Sequence, residues 1–305
     1  MNNTEAIETY TKLIQHHFPE IVIRTAVPIT RGWDSFVLEI NDELIFRFAL
    51  REDVEVRFQK EILLLPQLEP TLSTPIPHFD YIGRGDTVHP YSFVGYRRLE
   101  GTMLEDKDIR QEQLPALAHA VAVFLSELHR FPKQLAAQSG AANCTPLQWR
   151  DMYRERFEDI QQRVFPLLDA NLCTLSTYLW EDFLNTGSNF TFQPVFIHGD
   201  LGCEHIFCDP QHGRLAGVID WGDSIIGDPA LDFVGLHWGH GRIFTERVLN
   251  TYQGTIDATF WQRMAFYVRY GPFSELLYGA YTGNGQILAQ GKANLQTMFR
   301  PLQGR

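Results

Sequence analysis

Between residues 5 and 17 apolar side chains recur at Ala6, Ile7, Tyr10, Leu13 and Ile14, the stripe of an amphipathic helix. From Val22 to Phe48 the period shortens to that of strands, in "IVIRTAVPI", "SFVLEI" and "LIFRFAL", with Asn41-Asp42-Glu43 as the turn between the last two. Helical spacing returns from Val54 to Leu68 through Val54, Phe58, Ile62 and Leu65, and "FDYIGRG" with "YSFVGYRRLEG" predicts a further strand pair. Beyond Gly101 helices dominate. "QEQLPALAHAVAVFLSELHRF" turns Leu117, Val121, Phe124, Leu125 and Leu128 inward, and residues 146–186 predict two or three helices. Short strands are expected at 195–197, 205–208 and 215–219, then helices from about 230 to the end. The pattern predicts an α+β chain in two lobes. A small β-sheet lobe with a helix covers 1–97, the segment 98–101 of "YRRLEG" is the hinge, and a larger, mostly helical lobe covers 102–305. Unlike lobes joined by one short segment leave a cleft between them, where small-molecule sites are frequent.

A length of 305 residues has room for both lobes, and 44% hydrophobic with 21% charged residues is a globular composition. The net charge of −11 argues against a nucleic-acid partner, which requires a basic surface. No run approaches the roughly 18 apolar residues that cross a bilayer, and the polar, acidic start "MNNTEAIETYTKLIQHHFPE" does not resemble a secretory signal. Cys144, Cys173, Cys203 and Cys208 lack CxxC spacing and read as reduced thiols. The expectation is a cytoplasmic monomer that engages neither nucleic acid nor membrane.

The candidate chemistry sits in "VFIHGDLGCEHIFCD" and "LAGVIDWGDSIIGDPALDF". Val195–Ile197 is an apolar run that ends in His198-Gly199-Asp200, and Val218-Ile219 is another that ends in Asp220. A rigid strand that ends in a polar loop is a common way to present reactive groups. Two carboxylates so framed would serve as a base and a metal ligand over one site, with His205 offering a nitrogen to the same metal. Cys203, in the same loop, reads as a tolerated small residue.

These segments, with the "FLSELH" helix and the late "FSELLYG" helix, resemble the antibiotic phosphotransferases, the aminoglycoside and macrolide phosphotransferases of protein-kinase-like fold. The resemblance implies Mg2+-dependent transfer of phosphate from ATP or GTP to an alcohol. Asp200 would match the catalytic aspartate and Asp220 the aspartate of the kinase DFG signature. His205 stands where protein kinases keep an asparagine, so the second metal ligand stays open between direct binding and a hydrogen bond. In "TRGWDSFVLEI", Gly32 and Ser35 would approach the phosphates. Arg47 takes the place of the kinase lysine, with Glu61 as its helix partner and Glu55 as competitor. The backbones of Arg97 and Leu99 would meet the purine. Asp228 and Asp232 of "GDPALDF" would brace the catalytic loop.

The acceptor is the open question. Glu275 in "FSELLYG" resembles an aminoglycoside contact, and Asp151, Glu155, Glu158, Asp159, Glu181 and Asp182 are further carboxylates of the helical lobe. "VGLHWGHGRIF" instead offers Trp238 flanked by His237 and His240, which suits a larger, less charged ligand such as a macrolide; Trp180, Phe183, Phe190 and Phe192 read as core before wall. The similarity favours an aminoglycoside narrowly. A macrolide, a housekeeping small molecule, and a non-catalytic metal- or nucleotide-binding role stand as alternatives.

Overall fold

The computed structural model describes residues 3–29, 35–87 and 89–300. The N-terminal part comprises α1 (Asn3–His17), β1 (Ala26–Ile29), β2 (Ser35–Ile40), β3 (Leu44–Ala49), α2 (Glu52–Leu68), β4 (Tyr81–Gly83) and β5 (Phe93–Arg97). Its strands form one antiparallel sheet in the order β1-β2-β3-β5-β4. Strand alternation assigns the two faces. Phe46 and Phe48 point to the side covered by Tyr10, Leu13 and Ile14 of α1, while Val94 and Ala49 meet Val54 and Phe58 of α2 on the other. Arg47, between the two phenylalanines, therefore faces α2. The first strand begins at Ala26 rather than Val22, which is 69% exposed and outside any ladder.

The rest of the chain runs β6 (Thr102–Met103), α3 (Leu114–Leu128), α4 (Lys133–Gln138), α5 (Pro146–Arg163), α6 (Ala170–Asn185), β7 (Val195–Ile197), β8 (Ile206–Asp209), β9 (Arg214–Val218), β10 (Ile225–Gly227), α7 (Val234–Thr251), α8 (Phe260–Thr282) and α9 (Gly285–Met298). This is the α+β architecture the pattern implied: an antiparallel sheet followed by mostly helix. Small ladders interrupt the helices: β10 with β7, and β6-β8-β9. One core holds this part together, with Trp149, Tyr153, Trp180 and Trp221 all at most 1% exposed. Trp180, Phe183, Phe190 and Phe192 belong to that core. Two helices depart from regularity. α7 is broken at Gly241 (φ +73°, ψ −174°), and α8 carries Pro272 in its interior.

The crossing between the two parts is pinned at both ends. Arg98 N–H donates to Glu43 O at 2.8 Å. Gly101 turns with φ +106°, where a Cβ would stand 2.7 Å from Cys208 O. Among the described residues no helix is long and apolar enough to cross a membrane.

Candidate active site

The loop after β7 is shaped by one glycine and held by one buried carboxylate. Gly199 has φ +84°, and a Cβ there would lie 2.5 Å from Asp223 O, so a side chain is excluded on both counts. Fully buried Asp232 accepts the backbone N–H of His198 (2.9 Å, Oδ2) and of Gly199 (2.9 Å, Oδ1). It also accepts from His129 Nε2 at 3.1 Å, while His129 Nδ1 lies 2.5 Å from Tyr252 Oη. Asp228 takes the other structural role, accepting from Arg263 Nε at 2.6 Å and Tyr267 Oη at 2.7 Å. Asp232 thus braces the loop directly, whereas Asp228 ties its own turn, through the Ala230 N–H, to α8.

Asp200 leaves this loop with its carboxyl toward a cavity of about 1090 Å³. Partial withdrawal from water raises its pKa, against the pull of His205 and His198. His205 Nδ1 lies 2.8 Å from Asp200 O, and a carbonyl only accepts, so Nδ1 carries hydrogen. Nε2 then faces Asp220, 3.7 Å from its Oδ2. Desolvation lowers the His205 pKa, but the carboxylates of Asp220 and Asp200 outweigh it and the net shift is upward.

Asp220 itself is left-handed (φ +66°, ψ +63°), which swings its carboxylate back toward β3. Arg47 meets it there: Nη2 lies 3.1 Å from Asp220 Oδ1 and Nη1 2.8 Å from Glu61 Oε2, with the guanidinium 4.9 Å from the Phe58 ring centre. Burial pulls the Arg47 pKa down, but Glu61 and then Asp220 more than offset this, so the cation persists. Burial pushes the Asp220 carboxyl up; Arg47 and His205 carry it below its ordinary value. Of the two candidate partners on α2, Glu61 holds Arg47, whereas Glu55 accepts from Ser92 Oγ at 2.6 Å. Arg57 and Lys60 also tie α2 to this loop, through Asp223 (3.3 Å) and Ser224 O (2.7 Å).

Among the described residues no group of three or more His, Cys, Asp or Glu side chains could hold a metal unaided. Asp220 offers the hard carboxylate oxygen that magnesium prefers, with phosphate and water usually completing its shell, whereas His205 offers a nitrogen. Ser35 opens β2, opposite Ala49. Gly32 lies outside the described residues. Arg97 closes β5 opposite Leu44, and Leu99 covers Gly217, where a Cβ would be 2.5 Å from Leu99 Cδ1.

The cavity beyond Asp200 is lined by α5, α7 and α8. Trp238 and Glu275 both line it, Glu275 accepting from Asn294 Nδ2 at 2.8 Å. His237 is not among the lining residues. Successive helical residues point about 100° apart, and its Nδ1 is buried without a hydrogen-bond partner among the described residues. Asp151, Glu155, Glu158, Asp159, Glu181 and Asp182 are likewise outside the lining. Periodicity missed Glu105, Glu204 and Asp223, which do line it. It also missed Arg156, whose guanidinium lies 5.1 and 5.6 Å from the ring centres of Tyr153 and Tyr270. Cys203 is buried against α7 and its thiol is pushed up to about 12 by burial, so it is no nucleophile.

The comparisons agree with this geometry. Viomycin phosphotransferase of Streptomyces vinaceus is 25% identical over 222 residues, 72% of this chain and 74% of that protein. The GDP and kanamycin complex of the aminoglycoside phosphotransferase APH(2")-IIIa superposes with a TM-score of 0.88 at 28% identity, covering 95% of this chain and 97% of that one. Macrolide 2'-phosphotransferase MphH from Brachybacterium faecium shares the fold, with a TM-score of 0.74 at 21% identity over 98% of this chain and 100% of that one. Residues 25–267 match the family described as Phosphotransferase enzyme family. The chain belongs to that family and is a phosphotransferase.

Proposed function

We propose that the protein transfers the terminal phosphoryl group of ATP or GTP to a hydroxyl of an antibiotic, an aminoglycoside before a macrolide. The observation that carries the reading is Asp200 at a cavity of about 1090 Å³ whose wall also holds Glu105, Glu204, Asp223 and Glu275. Several carboxylates around one hydroxyl-accepting base suit a polycationic alcohol. The likeness to an aminoglycoside phosphotransferase bound to kanamycin supports the same class. The exposed face of Trp238 favours the second reading, a macrolide, since an indole offers apolar contact without charge.

Asp200 accepts a hydrogen bond from the acceptor hydroxyl and orients its lone pair toward phosphorus. The hydroxyl oxygen forms the new P–O bond as the bond between the terminal phosphorus and its bridging oxygen breaks; the proton passes to Asp200 and the electron pair leaves with the nucleoside diphosphate. Arg47 lies against the phosphates, kept charged by Glu61. Asp220 would hold Mg2+, with His205 either ligating it or hydrogen-bonding a phosphate or metal-bound water, and the ion would neutralise charge on the nucleotide oxygens. Gly32 and Ser35 approach the phosphates, and the backbones of Arg97 and Leu99 meet the purine. Residues 1–97 thus form the nucleotide lobe, 98–101 the hinge and 102–305 the acceptor lobe. Four free thiols suit the cytoplasm.

The test is turnover of ATP and of GTP with magnesium against kanamycin, gentamicin, streptomycin and a macrolide, with product mass read in each case. The expected product gains one phosphoryl group, and Asp200→Asn lowers kcat about 10²- to 10⁴-fold. Retained turnover in that variant sinks the mechanism.

A further inference from the structure

α8 carries a proline where a regular helix supplies a donor. Pro272 has no N–H, so the carbonyl of Val268, four residues earlier, lacks its usual helical partner. The indole Nε1–H of Trp238 donates to that carbonyl at 3.2 Å. The residue before the proline makes room for the ring: a Cβ on Gly271 would stand 3.1 Å from Trp238 Cζ2 and 3.3 Å from Cη2. A missing donor and a missing side chain, adjacent in α8, thus form a notch that receives one edge of an indole from α7. The ring is still 57% exposed, and it shares the cavity with Asp200 and Glu275. Proline is the least favourable residue in a helix interior, so on local propensity alone this position has no reason to hold it.

We propose that Gly271 and Pro272 are positioning residues for acceptor specificity. They fix Trp238 as a rigid platform against which the apolar face of a saturated ring, such as those of kanamycin, packs. A side chain already immobilised loses little rotamer freedom when a ligand covers it. The proposal rests on reading this cavity as the acceptor site.

The test uses the full-length enzyme and the variants Pro272→Ala, Trp238→Phe and their combination. Pro272→Ala restores the helical N–H to Val268 O and removes the need for the indole. Solvent exchange of the Trp238 indole N–H, its NMR signal assigned by loss in Trp238→Phe, is expected to be slow in the wild type and faster in Pro272→Ala. The KM for kanamycin is expected to rise about fivefold, the net worth of one hydrogen bond, while the nucleotide KM stays put. In the Trp238→Phe background Pro272→Ala adds nothing further. A purely structural proline predicts a higher melting temperature in Pro272→Ala with indole exchange and kanamycin KM unmoved, and that result overturns the proposal. So does absence of kanamycin binding by the wild type. Asp200→Asn separates this from failure of the phosphotransfer reading, because it lowers kcat about 10²- to 10⁴-fold with whichever alcohol is accepted.

Discussion

Asp232 takes no part in the chemistry, yet Asp232→Asn is expected to be among the most damaging single-atom changes in the molecule. Its carboxylate is fully buried and accepts from His198 N, Gly199 N and His129 Nε2. An amide keeps one oxygen and turns an NH2 toward at least one of those donors. That donor is left without an acceptor at a site water does not reach, and the remaining bonds lose their charge. Hydrogen bonds to charged groups contribute about 1.5–3 kcal/mol, and an orphaned buried donor costs about 1–3 kcal/mol. The loss is therefore about 3 kcal/mol. At roughly 2 °C per kcal/mol for a chain of this size, melting falls by about 6 °C. Because the two amides immediately precede Asp200, kcat should fall about 10- to 100-fold with the nucleotide KM nearly unchanged. Calorimetry and steady-state kinetics on the purified variant read both quantities. A melting point within 1 °C of the wild type together with full kcat would refute the bracing argument.

Gly199→Ala forces a Cβ onto Asp223 O at a positive φ, so activity should drop by at least an order of magnitude even where circular dichroism reports a folded chain. Arg156→Gln removes a cavity cation whose positive charge Tyr153 and Tyr270 help to hold; for a polycationic acceptor the KM should fall several-fold, and a rise would mean that the acceptor brings an anionic or strongly accepting group to Arg156. Asp257 titrates below its ordinary value of 3.8: its partial burial pushes it up, but bonds from Arg263 and Thr259 bring it lower. A depressed folded pKa stabilises above the unfolded value and fades as pH falls through the folded one. Urea unfolding should therefore show wild type losing more stability than Asp257→Asn between neutral pH and about pH 3, and parallel losses would remove Asp257 from the acid transition.

The bracketing of Asp200 and Asp220 by apolar runs was legible in the sequence because both ends of each loop are strands of two or three obligate core residues. Arg47 came from the resemblance, as the counterpart of the kinase lysine on the third strand. The cavity wall was legible only at Trp238 and Glu275. Glu105, Arg156 and Glu204 come from three segments that periodicity has no means of bringing together, and surface helices elsewhere offered many equivalent carboxylates. His237 was grouped with Trp238 because the two are neighbours in the sequence, yet successive residues of a helix point about 100° apart. The choice between Glu55 and Glu61 depended on a resemblance, since both lie on α2 and only packing distinguishes the buried one.

The N-terminal sheet has two open edges, and each is poorly suited to accept another strand. β1 carries Pro28 opposite Leu38. A proline has no hydrogen to give the ladder, so it is tolerated where its nitrogen points outward, and the exposed rim is one donor short at its middle. β4 on the far side is only three residues long and ends in Gly83. Five strands with aromatic-rich faces would otherwise be a template for chain-to-chain growth. Pro28 and the short β4 blunt these edges among the described residues, and a Pro28→Val replacement would leave a longer, stickier rim.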